Sequence, residues 1–258
     1  MKLITLVENT SIQDELKCEH GLSFYIETEN HKILFDMGQT DLFAENAKKL
    51  GVDLAEVDIA ILSHGHYDHG GGLKKFLEIN QKAPVYVSKY AFEAYYNGRE
   101  KYIGLDKALV NHDRLIFTED VMQLAEKLLL YSCNEKIRKY DLGSFGLNKK
   151  VDEEYIPDDF LHEQYLCMEE DGKRILISGC SHKGILNIAK WFQPDILVGG
   201  FHFSKLPMDE TLIQYAKILD EIDTEYYTCH CTGEQQYQFM KQYMQHLSYL
   251  STGTKIEF

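Results

Sequence analysis

His64, His66, Asp68 and His69 are the strongest chemical signal in the chain. They lie in S-H-G-H-Y-D-H-G, residues 63–70, directly after the apolar run V-D-I-A-I-L. Neutral imidazole and carboxylate suit Zn²⁺, and also Fe or Mn. A loop leaving a strand can aim His64 and His66 to one side and Asp68 and His69 to another, which serves two neighbouring metals. Gly70, Gly71 and Gly72 follow, and are expected to let the chain turn sharply into a helix. A solvated polar turn has no use for three imidazoles and an aspartate at this spacing.

A metal pair needs more ligands than one loop supplies. Three later segments offer them, each where an apolar run ends: I-S-G-C-S-H-K-G with Cys180 and His182, V-G-G-F-H with His202, and Y-T-C-H-C-T-G-E with His230. In sheet-based folds, side chains at the carboxyl ends of strands converge on one crevice. His182 and His230 read as ligands. Cys180 reads either as a thiolate ligand or as a small structural residue, and His202 either as a ligand or as a hydrogen-bond donor to the reacting oxygen. His20, His31, His112, His162 and His246 lack this strand-end context and read as ordinary surface or core residues. Among them His162, in D-D-F-L-H-E-Q, is the one to follow. Lys89, Arg99 and Lys101 are candidates for binding an anionic group such as phosphate, and Tyr95, Tyr96 and Tyr102 for a ring. A solvated amphipathic segment explains residues 89–105 equally well.

The elements that must position these groups alternate. K-L-I-T-L-V, L-S-F-Y-I-E-T and K-I-L-F-D read as strands, the last two joined by a short hairpin-like connection. D-L-F-A-E-N-A-K-K-L-G reads as a helix stopped by Gly51. V-D-I-A-I-L-S is a buried strand, G-G-L-K-K-F-L-E-I-N a helix and P-V-Y-V-S a strand. From about residue 164, strands Y-L-C-M, R-I-L-I-S-G, D-I-L-V-G-G, E-Y-Y-T-C and K-I-E-F alternate with helices over 184–192, 208–222 and 233–244. Each half thus begins with antiparallel-looking strands and goes on to alternate strand and helix. Residues 89–160 are less regular, with helical pieces expected near 90–96 and 119–129. The expectation is one α/β domain over 1–258, with a substrate-covering insertion at 89–160.

The 258 residues include six cysteines and carry a net charge of -14. That charge argues against bulk nucleic-acid binding, which needs Lys and Arg to neutralise phosphates, and against an anionic membrane surface. It leaves room for a small anionic substrate, because bound dications dominate their local field. No C-x-x-C pair is present, so a zinc ribbon is not expected. No run approaches the roughly 18 apolar residues of a membrane span. Glu8 comes too early for a signal peptide, so a cytoplasmic location is expected.

At F-D-M-G (35–38), S-H-G-H-Y-D-H-G (63–70), G-C-S-H (179–182) and H-C-T-G (230–233) the chain resembles the metallo-β-lactamase superfamily. The resemblance implies a four-layer αβ/βα sandwich, two mixed sheets with helices outside. It implies a dinuclear site with two divalent metal ions, zinc foremost, and a metal-dependent hydrolase acting on a small-molecule substrate. The ligands would be His64, His66, Asp68, His69, Cys180, His182 and His230, with Asp68 and His202 as the catalytic groups and Asp36 supporting the histidine loop from behind. More narrowly, L-V-E-N, G-C-S-H-K-G-I-L-N, G-G-F-H and H-C-T-G look like the subgroup labelled after dihydropterin–ribofuranosylaminobenzene phosphate synthase. That label implies an alternative, a synthase condensing a pterin with a phosphoribosyl-type acceptor. A diiron redox protein and a non-catalytic metal-binding module are the alternatives of another class. The chain departs from the commoner superfamily pattern twice. Cys180 stands where a bridging Asp is usual, and D-D-F-L-H-E-Q replaces a G-H motif, which makes His182 the expected substitute ligand.

Overall fold

Branched and aromatic residues in short runs, each closed by a turn residue, produce the strands that frame the site. The structure is a computed structural model and describes residues 1–258. It divides into two compact units. The first comprises residues 1–119, 146–164 and 251–258, and the second residues 120–145 and 165–250.

The first unit holds a seven-stranded sheet in the order Lys255–Glu257, Lys2–Val7, Ser23–Glu27, Lys32–Phe35, Ile59–Ile61, Val85–Ser88, Leu115–Thr118. The pairings from Lys255–Glu257 to Lys32–Phe35 are antiparallel, and those from Lys32–Phe35 onward are parallel. Helix Leu42–Leu50 buries Leu42, Phe43 and Ala47, and ends at Gly51, whose φ of 77° is the left-handed conformation that terminates helices without Cβ strain. Helix Leu73–Ile79 buries Leu73, Phe76 and Leu77. These side chains share one apolar cluster with Leu34, Ala60, Leu62 and Val85 of the sheet, each large side chain contributing about 1.5–3 kcal/mol on burial. A second sheet, in the order Glu154–Pro157, Leu147–Val151, Tyr95–Asn97, Lys101–Tyr102, completes this unit.

The second unit repeats the logic. Its seven strands run Leu247–Tyr249, Glu225–Thr228, Ile196–Val198, Lys173–Ile177, Tyr165–Glu170, Leu128–Tyr131, Val121–Ala125. The first four are parallel and the rest antiparallel. Helices Ile185–Phe192, Glu210–Asp220 and Glu234–Met240 bury Ile185, Ile188, Leu212, Leu219 and Met240 in one cluster with Leu176, Leu197 and Tyr226.

The helical pieces expected near 90–96 and 119–129 do not form. Tyr95–Asn97, Val121–Ala125 and Leu128–Tyr131 are strands. In V-M-Q-L-A-E-K-L-L-L-Y the apolar residues satisfy helical and alternating spacing alike. Leu128 and Leu130 are buried while Leu129 and Tyr131 are half-buried, and Lys127 at φ 58° makes the reversal between the strands. Pairing with Tyr165–Glu170 decides the matter. No helix is long and apolar enough to cross a membrane.

Candidate metal centre

Lys32–Phe35 and Ile59–Ile61 are parallel neighbours, so the residues that follow them leave the same edge of the sheet. Asp36 follows the first strand and Ser63-His64 the second. Asp36 is fully buried, at φ 60°. Its carboxylate accepts from Ser63 N–H and from Ser63 Oγ–H, each at 2.7 Å, and from His69 Nδ1 at 2.7 Å. Ser63 has one hydroxyl proton, and Asp36 takes it. His64 Nδ1, 2.8 Å from Ser63 Oγ, is therefore the donor of that pair. His64 and His69 are both held with the proton on Nδ1 and the lone pair on Nε2, which is the state in which imidazole binds a metal. Their rings lie 4.1 Å apart, and Asp68 Oδ2 is 3.9 Å from His69 Nε2. The His66 ring is 4.6 Å from that of His64, edge on. One unit thus brings His64, His66, Asp68 and His69 together, three of them buried imidazoles.

Two of the three glycines after the loop, Gly71 and Gly72, work differently from expectation. Gly71 and Gly72 have φ of -62° and -77°, ordinary helical values. Their role is room. A Cβ on Gly71 would lie 2.1 Å from Gln39 O, and one on Gly72 2.3 Å from Met37 O. Gly71→Ala is expected to cost about 1–3 kcal/mol through forced backbone movement. That corresponds to a drop of roughly 2–12 °C in thermal midpoint. An unchanged midpoint would contradict the close approach.

In the second unit, Lys173–Ile177, Ile196–Val198 and Glu225–Thr228 are parallel neighbours, and Cys180, His182, His202 and His230 follow their carboxyl ends. The turns are sharp. Ser181, His202 and His230 adopt φ of 57°, 57° and 49°, a left-handed conformation that side chains disfavour and that collects at functional sites. The His182 and His202 rings are 4.3 Å apart. Cys180, His202 and Cys231 bring their donor atoms within 4.8 Å of one another. Cys231 Sγ lies 3.4 Å from Cys180 O. Burial raises the Cys231 thiol, but hydrogen bonds with Cys180 and His202 outweigh burial and hold it well below its ordinary value. None of the six cysteines is in a disulfide.

Beside these residues stand three to which the sequence did not point, His20, Asp158 and Cys231, and one, His162, to which it did. His20, taken as an ordinary residue, has Nε2 3.2 Å from Asp68 Oδ2. Asp158 and His162, both buried, stand beside His66. Cys231 joins Cys180 and His202. Asp158 and His162 are four residues apart, but no helical or strand pattern marked that spacing, and His20 sits in an irregular loop.

The substrate candidates are spread over the first unit. Lys89 pairs with exposed Glu119 at 3.3 Å, and Arg99 is exposed. Lys101 Nζ donates to the Tyr67 hydroxyl at 3.1 Å. The Tyr96 ring stands 5.4 Å from that of Tyr102, whose hydroxyl donates to Leu105 O. Tyr95 is buried, its hydroxyl donating to Tyr90 O at 2.6 Å.

The donor types fit divalent metals: imidazoles with a fixed lone pair and a carboxylate in one unit, imidazoles and thiols in the other. The family model described as "Metallo-beta-lactamase superfamily" matches residues 16–228. An uncharacterized protein of Methanocaldococcus jannaschii is 31% identical, the match covering 88% of this chain and 89% of that one. The 7,8-dihydropterin-6-methyl-4-(beta-D-ribofuranosyl)-aminobenzene-5'-phosphate synthase of the same organism is 28% identical, with 100% and 97% covered. The crystal structure of Tm1679, described as a metal-dependent hydrolase of the beta-lactamase superfamily, superposes with a TM-score of 0.86 at 30% identity, covering 100% of this chain and 99% of that one.

Proposed function

The chain belongs to the metallo-β-lactamase superfamily, and from that premise we propose that it is a metal-dependent hydrolase acting on a small, phosphorylated substrate with two divalent metal ions, zinc foremost. The observation that carries this reading is the locked pair His64 and His69. Asp36 and Ser63 fix the tautomer of both rings, an investment that serves metal binding and that a packing role does not need. In this reading the donors are His64, His66, Asp68 and His69 of the first unit, and Cys180, His182 and His230 of the second.

When bound, such metals supply Lewis acidity, polarising a substrate oxygen and bringing the pKa of water from about 15.7 towards 7. Asp68 is a ligand and also accepts a hydrogen bond from the attacking water, orienting it. His20 beside it, 3.2 Å away, restrains its carboxylate. His202 donates a hydrogen bond to the developing or departing oxygen. Arg99 and Lys101 receive the anionic group of the substrate, and Tyr96 and Tyr102 its ring. Tyr95, buried, serves through packing, and Lys89 is occupied by Glu119.

The synthase reading is kept because the M. jannaschii synthase aligns along all of this chain. One experiment separates the two. The purified protein is loaded with zinc or manganese, its metal is measured by elemental analysis, and it is offered bis(p-nitrophenyl) phosphate, phosphomonoesters, thioesters and lactams. Hydrolysis of a phosphoester is the expected result. No turnover of any ester, together with condensation of a pterin with a phosphoribosyl acceptor, overturns the hydrolase reading in favour of the synthase.

A further inference from the structure

Helix Ile185–Phe192 of the second unit stops short of covering the sheet beneath it. It ends at Gln193, whose left-handed φ of 42° terminates the helix. In the sheet, Leu129 stands opposite Cys167, Tyr131 opposite Tyr165, and Glu169 opposite Arg174. Opposed residues share a face, as do alternate residues along a strand. Leu129, Tyr131, Cys167, Glu169 and Arg174 therefore lie on one face. The helix packs on that face, with the Phe192 ring 5.3 Å from that of Tyr131 and 6.0 Å from that of Tyr165. Past the helix end the face opens into a pocket of about 440 Å³, the size of a small-ligand site.

The pocket has an apolar interior and a cationic rim. Leu129, Tyr131, Trp191 and Phe192 line it together with Cys133 and Cys167, two buried residues of this unit's apolar cluster. Burial pushes the Cys167 thiol up, so it stays protonated and acts as a small apolar group. Around this lining stand Lys127, Lys136 and Arg174, all exposed, against one carboxylate, Glu169. None of the three cations is in an ion pair. Arg174 Nη1 donates to Phe192 O at 3.2 Å, which closes one carbonyl of the helix end and holds the guanidinium there. The chain has 41 acidic residues to 27 Lys and Arg. Three cations without acidic partners around one apolar opening run against that balance, and their charge complements an anion.

We propose that this pocket is a second ligand site, for a small molecule with an aromatic ring and one oxyanion, a carboxylate or a phosphate-like group. The ring lies between Tyr131 and Trp191, where aromatic faces stack. The oxyanion lies toward Arg174 and Lys136, the first offering a planar fork of donors and the second a point charge. This site is separate from the metal donors of the same unit. Arg174 is the second residue of strand Lys173–Ile177, and Cys180 follows that strand's far end. The pocket thus belongs to the strand's start and the metal donors to its finish.

Trp191 is the only tryptophan in the chain. The ¹⁵N-labelled protein therefore has a single indole N–H signal, and that signal reports from the pocket wall. The full chain, as purified, is titrated with 2-naphthoate, 2-naphthylphosphonate and the uncharged 2-naphthylmethanol. At least one oxyanion is expected to shift the indole signal saturably and to bind about 10–100-fold more tightly than the alcohol. The double variant Lys136→Gln, Arg174→Gln changes two exposed positions and is expected to fold. It should bind the alcohol as wild type does and the oxyanion at least about tenfold more weakly. An indole signal that neither oxyanion moves at millimolar concentration overturns the site. Equal affinity for alcohol and oxyanions, or unchanged oxyanion affinity in the double variant, overturns its assignment to an anion. Should the double variant fail to fold, the comparison of oxyanions with alcohol on the wild-type protein decides the matter.

Discussion

His66→Ala is expected to emerge from purification depleted of metal and with at least about a thousandfold less turnover, equivalent to roughly 4 kcal/mol of barrier. The ring contributes a nitrogen to the cluster formed with His64, 4.6 Å away. Alanine offers no donor, and a binding site with one imidazole fewer loses both affinity and geometry. The protein is nonetheless expected to fold. Asp158 keeps the hydrogen bond from His162 and the one from Phe160 N–H, so no buried charge is abandoned. This separates loss of metal from loss of structure. His246→Ala, whose side chain is 63% exposed beside Glu225, is the matched control and should keep wild-type metal content. Elemental analysis and steady-state rates on the same preparations check both. Full metal content and turnover in His66→Ala would show that the loop is not the metal site.

Asp36→Ala is expected to be the more destructive change, for a different reason. It leaves Ser63 N–H, Ser63 O–H and His69 Nδ1–H buried without their acceptor. Orphaned donors cost about 1–3 kcal/mol each, and the sum approaches the whole stability of a domain, about 5–15 kcal/mol. Alanine also fits the φ of 60° poorly. Little folded protein should be recovered. Asp36→Asn tests the finer point. Asparagine tolerates the left-handed backbone and retains one acceptor oxygen, so this variant should fold. Its amide nitrogen, facing His69 Nδ1, forces the imidazole proton onto Nε2 and removes the lone pair. Zinc affinity should fall about 10–100-fold with a far smaller loss of stability than in Asp36→Ala. Denaturant melts and a zinc titration give both numbers, and wild-type affinity in Asp36→Asn would refute the tautomer argument.

The sequence made plain whatever is local. His64, His66, Asp68 and His69 are contiguous, and the apolar run before them marks the strand that delivers them. Helix Leu42–Leu50 was legible from Leu42, Phe43, Ala47 and Gly51. So was the superfamily, because its motifs occupy strand ends at both halves of the chain. What stayed hidden depends on pairing between distant residues. His162 lies 97 positions from its partner Gly65, and nothing near residue 162 announces the loop it braces. Tyr95–Asn97 and Val121–Ala125 pass for helical because short apolar runs satisfy both periods, and only a partner strand chooses between them. The glycines at 71 and 72 invited a conformational explanation, and their cause is the proximity of Gln39 and Met37.

The first unit is assembled from three separate stretches of chain, and strand Lys255–Glu257 pairs with Lys2–Val7 at its edge. On the ribosome these stretches appear in turn, at roughly 5–20 residues per second. The histidines of the loop therefore emerge well before Asp158, and the opening strand waits still longer for its edge neighbour. During that interval the first strand has an open side. The first sheet is thus completed only once translation has passed residue 257.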